Sequence, residues 1–378
     1  MIKEEGRPIN KRLYSIDLLR IIAMLFIVVN HYLSHGIAIV GFSSNEPHMF
    51  YDWYVRGVCY TGTNLFILIT AFFLSKSTFK VKHILTLACQ VWFYSIIIYF
   101  IAVWTGLCSF SSIKFLQTTT PIINSHYWFI TCYIALYFLA PFLNMVVDTL
   151  SKNGLRLLLV VLFVCFSIVP SFVYWGNWLG WGGSSGIVWF IVLYFTGAYI
   201  RKYVDIVFLK KNRNRLLIYT IVLSFLPILS KILIAFVTSK VLGHIEGSSL
   251  FYVKNSILIF PLSVSIFMLF MTMEITNKTI IKVISFITTG VFAVYLITEN
   301  HYLREWLWSN MAQIINRNSP WYSIIELSSI IILFISCVLI DKVRKCVFDV
   351  ISKTGVPGSV LSVLEPKIDP KYKLLKND

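Results

Sequence analysis

Charge is what this sequence has little of. Aspartate and glutamate together number 17 in 378 residues, and all charged residues make up only 13% of the chain. Soluble domains carry about 25%. With 57% hydrophobic residues and a mean hydropathy of +0.77, a water-soluble globular fold is excluded. No hydrophilic stretch is long enough to hold a separate soluble domain, and no internal repeat is visible, which argues against a repeat-built secondary transporter. The seven cysteines (Cys59, Cys89, Cys108, Cys132, Cys165, Cys337 and Cys346) form no CxxC pair and fall mostly inside apolar runs. They read as small packing residues, with neither a disulfide framework nor a zinc site implied.

What the chain has instead is a succession of apolar runs of membrane-spanning length. Ten are predicted, at about 13–34, 59–75, 84–104, 126–147, 155–175, 187–201, 215–237, 255–273, 283–303 and 322–341. The expected fold is therefore all-α, a polytopic membrane helix bundle of about ten transmembrane helices. Of the 33 Lys and Arg, 25 fall in one alternate set of connections and tails and only 6 in the other. By the positive-inside rule, both termini are cytoplasmic. The same dispersal over short loops accounts for the net charge of +16, so nucleic acid is not an expected partner. The first run has a basic flank but no small-residue cleavage site, and reads as a retained span. Residues 1–341 form the expected membrane domain. Residues 342–378, with Pro357, Gly358, Pro366 and Pro370 among lysines, form a basic cytoplasmic tail expected to be largely disordered.

The first span breaks the apolar pattern with Asp17, Arg20, His31 and His35. At about 100° per residue the four share one helix face, and His31 lies roughly 16 Å beyond Arg20 along the axis. Ionisable groups at membrane depth normally face a bundle interior or a wet cavity. Each also has a plainer reading. Arg20 and Asp17 can form an intrahelical ion pair, and His31 can bond to a neighbouring helix. His31 and His35 can hold a metal only with a third ligand, and none is evident.

Five segments carry more polar detail than lipid-facing helices need, and together they resemble the membrane acyltransferase-three family. Arg20, ten intervening residues and His31 resemble its Arg/Lys-to-His signature. GTNLFILITAFFL, HYWFITCYIALYFLAPFLN, VWFIVLYFTGAYIRKY and FAVYLITEN resemble its later spans, in order, from about Tyr14 to Asp341. Two positions depart from the pattern: Thr70-Ala71 stands where Ser-Gly is usual, and Thr298 where many relatives have histidine.

The resemblance implies transfer of an acetyl or related acyl group from cytosolic acetyl-CoA to a hydroxyl of an extracytoplasmic or lipid-linked polysaccharide, in a bacterial cytoplasmic membrane. It implies His31 as the base and Glu299 as the carboxylate that orients it. Arg20 is the candidate for the donor, joined by Lys80 and Lys82, whose plainer role is orientation. Asn64, Tyr127, Trp128 and Asn300 are candidates for the acceptor, with an interfacial belt as the alternative for the aromatics. Acyl-CoA, the glycan acceptor and membrane lipid are thus the expected partners, and no metal is expected. The rival readings are a transporter or flippase of lipid-linked sugar and a family member that has lost catalysis. The orientation has a direct test. A single cysteine at position 45 or 180 should react with an impermeant reagent on intact cells, and one at position 212 should not; labelling at 212 from outside overturns the map.

Overall fold

The computed structural model describes residues 12–37, 48–124, 126–172, 183–244 and 247–353. Among these the chain is a bundle of helices without strands. Eight helical runs are long and apolar enough to cross a membrane: Tyr14–Gly36, Met49–Leu74, Val81–Trp104, Trp128–Thr149, Lys152–Phe172, Arg213–Leu242, Lys278–Thr298 and Tyr322–Asp349. They coincide with eight of the ten predicted spans. The remaining two are also helices but shorter, Ile187–Tyr203 and Ile259–Met271.

The elements that matter for the site are α1 (Tyr14–His31), α2 (Met49–Cys59), α3 (Thr61–Leu74), α4 (Val81–Trp104), α5 (Ser112–Thr119), α6 (Trp128–Thr149) and α7 (Lys152–Phe163). They continue with α8 (Ile187–Tyr203), α9 (Ile206–Lys211), α10 (Arg213–Leu242), α11 (Ile259–Met271), α12 (Lys278–Thr288), α13 (Val291–Thr298), α14 (Arg304–Ile314) and α15 (Tyr322–Lys353). Helix α1 runs on through a π-turn at Tyr32–Gly36. The second span starts ten residues earlier than expected, because α2 leads into α3 with only Tyr60 between them. The ninth is broken at Thr289 and Gly290.

Helices α1, α3 and α8 form the centre. In α8 nearly every side chain from Trp189 to Ala198 is buried, whereas α10 buries only 6% of its most apolar window and faces outward. Close crossing of α3 with its neighbours depends on two small residues. A Cβ on Gly62 would lie 2.8 Å from the Ala23 carbonyl oxygen, and one on Gly197 would lie 2.6 Å from Ala71 Cβ. Lipid offers no hydrophobic drive between spans, so backbone approach through small residues does the packing. The alanine at position 71 is thus accommodated because its partner across the crossing is a glycine.

Polar ties lock the helix ends. Asn144 donates to the Leu74 carbonyl at 3.3 Å and accepts from the Tyr194 hydroxyl at 2.7 Å, joining α6, α3 and α8. On one side Asp52 of α2 is buried and accepts from Arg317 at 2.8 Å and from Tyr322 at 3.1 Å. At the opposite end of α15, Asp341 is fully buried against Tyr94, Arg344 and Lys345. The last helix runs past this cluster to Lys353, so the first residues of the expected tail are helical. Unwinding there would expose a buried carboxylate and its cations. Residues 354–378, and the aromatics at 174–181 read as interfacial, lie outside the described residues.

The α3–α8 crossing makes a specific prediction. Gly197→Ala should lower the melting temperature of the detergent-solubilised protein, since overpacking costs about 1–3 kcal/mol. Ala71→Gly in the same chain should restore part of the loss. A Gly197→Ala variant as stable as the parent would show that the crossing is looser than its geometry.

Candidate functional site

The site is built where α1 meets α13. Glu299 ends α13 and is 7% exposed. Three basic groups surround its carboxylate. His31 Nδ1 lies 3.2 Å from Oε2, His35 Nε2 lies 3.8 Å from Oε1, and Arg304 donates to Oε1 at 3.1 Å. A buried carboxylate at membrane depth is stable only with such compensation. With Nδ1 turned toward Glu299, Nε2 at the far edge of the His31 ring is left for the cavity that the ring lines. The π-turn at Tyr32–Gly36 carries His35, and the two imidazole centroids are 6.0 Å apart.

This cavity, of about 260 Å³, is lined by His31, His35 and Glu299 with Asn30, Thr63, Trp128 and Lys254. Lys254 stands 4.2 Å from the centroid of the Trp128 ring, a cation–π distance, and donates to Ser185 at 2.8 Å. A second cavity, of about 440 Å³, lies toward the other end of α1. Its polar lining includes Arg20, Lys80, His83, Thr70 and Tyr133, and its apolar lining includes Met24, Phe66 and Leu87. Ile27, Phe129 and Tyr295 line both cavities and form the partition between them.

Arg20 serves two ends. It donates to Asp17 at 2.8 Å, so the intrahelical ion pair exists, and Asp17 accepts from Arg12 as well, at 2.6 Å. Two guanidinium groups on one carboxylate leave a net positive charge, and Arg20 still lines the larger cavity. Lys80 lines it too, on a turn pinned by hydrogen bonds between its backbone and the Tyr137 hydroxyl. Lys82 is exposed and is not in the lining, so the structure does not bring it to Arg20.

The acceptor candidates divide in the same way. Trp128 lines the smaller cavity. Asn64, Tyr127 and Asn300 are not among its lining residues. Asn64 is fully buried, accepting from Trp189 Nε1 and donating to the Lys254 carbonyl and to Ser263. It therefore holds the strand of backbone that presents Lys254. Tyr127 donates to the Leu296 carbonyl at 3.1 Å and accepts from Asn300 at 2.7 Å. Asn300 also accepts from the Tyr302 amide, so the pair fixes the turn that follows Glu299.

Sequence reasoning did not assign His35, Arg304, Lys254 or Tyr295 to the site. His35 was legible on the polar face of α1. Arg304, five residues after Glu299, offered a weak signal, and Lys254 offered none. The two departures also acquire a meaning. Thr298 is fully buried and donates to the Val294 carbonyl within its own helix, and Thr70 does the same to Phe66. His301 stacks near His126 at 5.8 Å and does not substitute for the missing histidine.

The sequence profile described as an acyltransferase domain matches residues 13–340, so the chain belongs to the membrane acyltransferase-three family. No curated protein and no solved structure matches it.

The charge balance at Glu299 is testable on stability alone. Glu299→Gln should destabilise by more than the ~1 kcal/mol of an exposed pair and less than the ~3–5 kcal/mol of a fully buried one, because Arg304 is about a quarter exposed. Adding Arg304→Gln should recover part of that loss in thermal melts. Additive destabilisation in the double variant would mean the two groups are not coupled.

Proposed function

We propose that this membrane acyltransferase is an acyl-CoA-dependent O-acetyltransferase, moving the acetyl group of cytosolic acetyl-CoA to a hydroxyl of an extracytoplasmic or lipid-linked polysaccharide in a bacterial cytoplasmic membrane. One observation carries the reading: two cavities of different chemistry meet at a thin partition. The larger has cations and apolar side chains in its lining, which suits a donor with phosphates and a long pantetheine arm. The smaller has an imidazole backed by a carboxylate, with an aromatic face and a cation beside it, which suits a sugar hydroxyl.

In this scheme Arg20 and Lys80 hold donor phosphates, Arg20 being steadied by Asp17. Trp128 offers its ring to the acceptor. The acceptor hydroxyl gives its proton to His31 Nε2 as its oxygen attacks the thioester carbonyl carbon. The C–O bond forms, the C–S bond breaks, and the departing thiolate takes that proton from the His31 imidazolium and leaves as the free thiol. Glu299 stabilises the imidazolium that exists between those events, as the carboxylate does in hydrolytic triads. Arg304 and His35 orient Glu299.

The division of labour predicts two distinct kinetic failures. His31→Ala should lower turnover about 10²–10⁴-fold at saturating acetyl-CoA. Arg20→Ala should raise the KM for acetyl-CoA roughly ten- to hundredfold, as loss of a charge-assisted contact of about 1.5–3 kcal/mol implies, and high donor should rescue it. Arg20→Lys should recover only part, because an ammonium lacks the planar fork. Thiol release by the purified protein and mass spectrometry of O-acetyl groups on envelope glycan give the readouts. Unchanged donor dependence in Arg20→Ala makes Arg20 purely structural. Glycan modification without any need for a thioester would favour a transporter or flippase instead.

A further inference from the structure

The partition between the cavities contains one polar side chain. Ile27 and Phe129 offer only apolar surface there, whereas Tyr295 carries a hydroxyl. Tyr295 is 3% exposed, and among the described residues its hydroxyl finds no acceptor. The Phe129 amide is directed at that oxygen, and an amide can only donate. The hydroxyl proton is therefore without an acceptor.

That is unusual in this bundle. The buried hydroxyls of Tyr127, Tyr94, Tyr194 and Tyr322 all donate, to the Leu296 carbonyl, Asp341, Asn144 and Asp52 respectively. Tyr32 also lacks a partner, but it lines neither cavity. An unpaired buried hydroxyl carries a desolvation penalty of about 1–3 kcal/mol. Folding alone would favour phenylalanine at position 295.

The ring is held firmly. It packs edge-on to Phe129 at 5.7 Å between centroids and against Tyr127 at 6.0 Å, while the His31 imidazole is 6.2 Å away. A fixed, buried donor beside a base, on the wall shared by two cavities, has the properties of a preorganised site for developing negative charge. Resting on the acyl-transfer reading above, we infer that the Tyr295 hydroxyl donates a hydrogen bond to the thioester carbonyl oxygen as the acceptor adds to it. The oxygen gains charge when the new C–O bond forms and loses it when the C–S bond breaks. Tyr295 keeps its proton throughout, and the acceptor's proton goes to His31.

The test compares two tyrosine-to-phenylalanine variants, with purified protein, acetyl-CoA and a glycolipid extract from cells lacking the protein. Tyr295→Phe should melt no lower than the parent, because it removes an unpartnered group. Its kcat should fall about 10²–10³-fold, the usual loss when one such donor is removed. The KM for acetyl-CoA and the midpoint of the pH–rate profile should stay where they were. Tyr127→Phe should instead lower the melting temperature, since Asn300 and the Leu296 carbonyl lose their partner. A Tyr295→Phe variant with parental kcat overturns the donor role, and so does a fall in kcat that comes with a shifted pH profile, which would mean action through His31. Absence of transfer by the parent protein would remove the acetyltransferase reading itself.

Discussion

A carboxylate buried at membrane depth sets the terms for the rest of this molecule. Glu299 is largely withdrawn from solvent, and an uncompensated charge there is costly. Compensation comes from two directions. Arg304 reaches back from the start of α14, and His31 and His35 reach across from α1 and its π-turn. For that to happen α1 must lie against α13, and the turn after Glu299 must be fixed. Tyr127 and Asn300 fix it. The close α1–α3 crossing at Gly62 then settles which face of α1 remains for the cavities.

The consequence is a polar line along α1 that is interrupted in the middle. Arg20 lines one cavity and His31 the other, with Ile27 between them on the same face. A continuous wet path would leak; a partition of two apolar residues and a tyrosine does not.

Buried charge alone does not mark this site. Asp52 with Arg317 and Tyr322, and Asp341 with Arg344, Lys345 and Tyr94, are equally buried and equally paired. They tie helix ends together and line neither cavity. What distinguishes Glu299 is that its partners include two imidazoles that line a cavity with it.

The amino-acid sequence by itself determined the fold class, the positions of the spans and the polar face of α1. Those are local quantities: apolar run length, and a 3.6-residue period that aligns Asp17, Arg20, His31 and His35 whatever surrounds them. Motif order carried the family, and with it the pairing of His31 with Glu299. Only the tertiary structure decided which polar residues share a cavity, because that depends on how distant helices cross. Asn64, Tyr127 and Asn300 look in the sequence like polar lining, yet they are consumed by buried hydrogen bonds to the Lys254 carbonyl, the Leu296 carbonyl and the Tyr302 amide. Lys254 reads as a loop cation, yet it is drawn over Trp128 by backbone contacts with Asn64, a residue 190 positions away. Nothing periodic or local encodes such a contact; it exists because a non-helical stretch is held inside the bundle by the few side chains whose hydrogen bonds would otherwise go unmade.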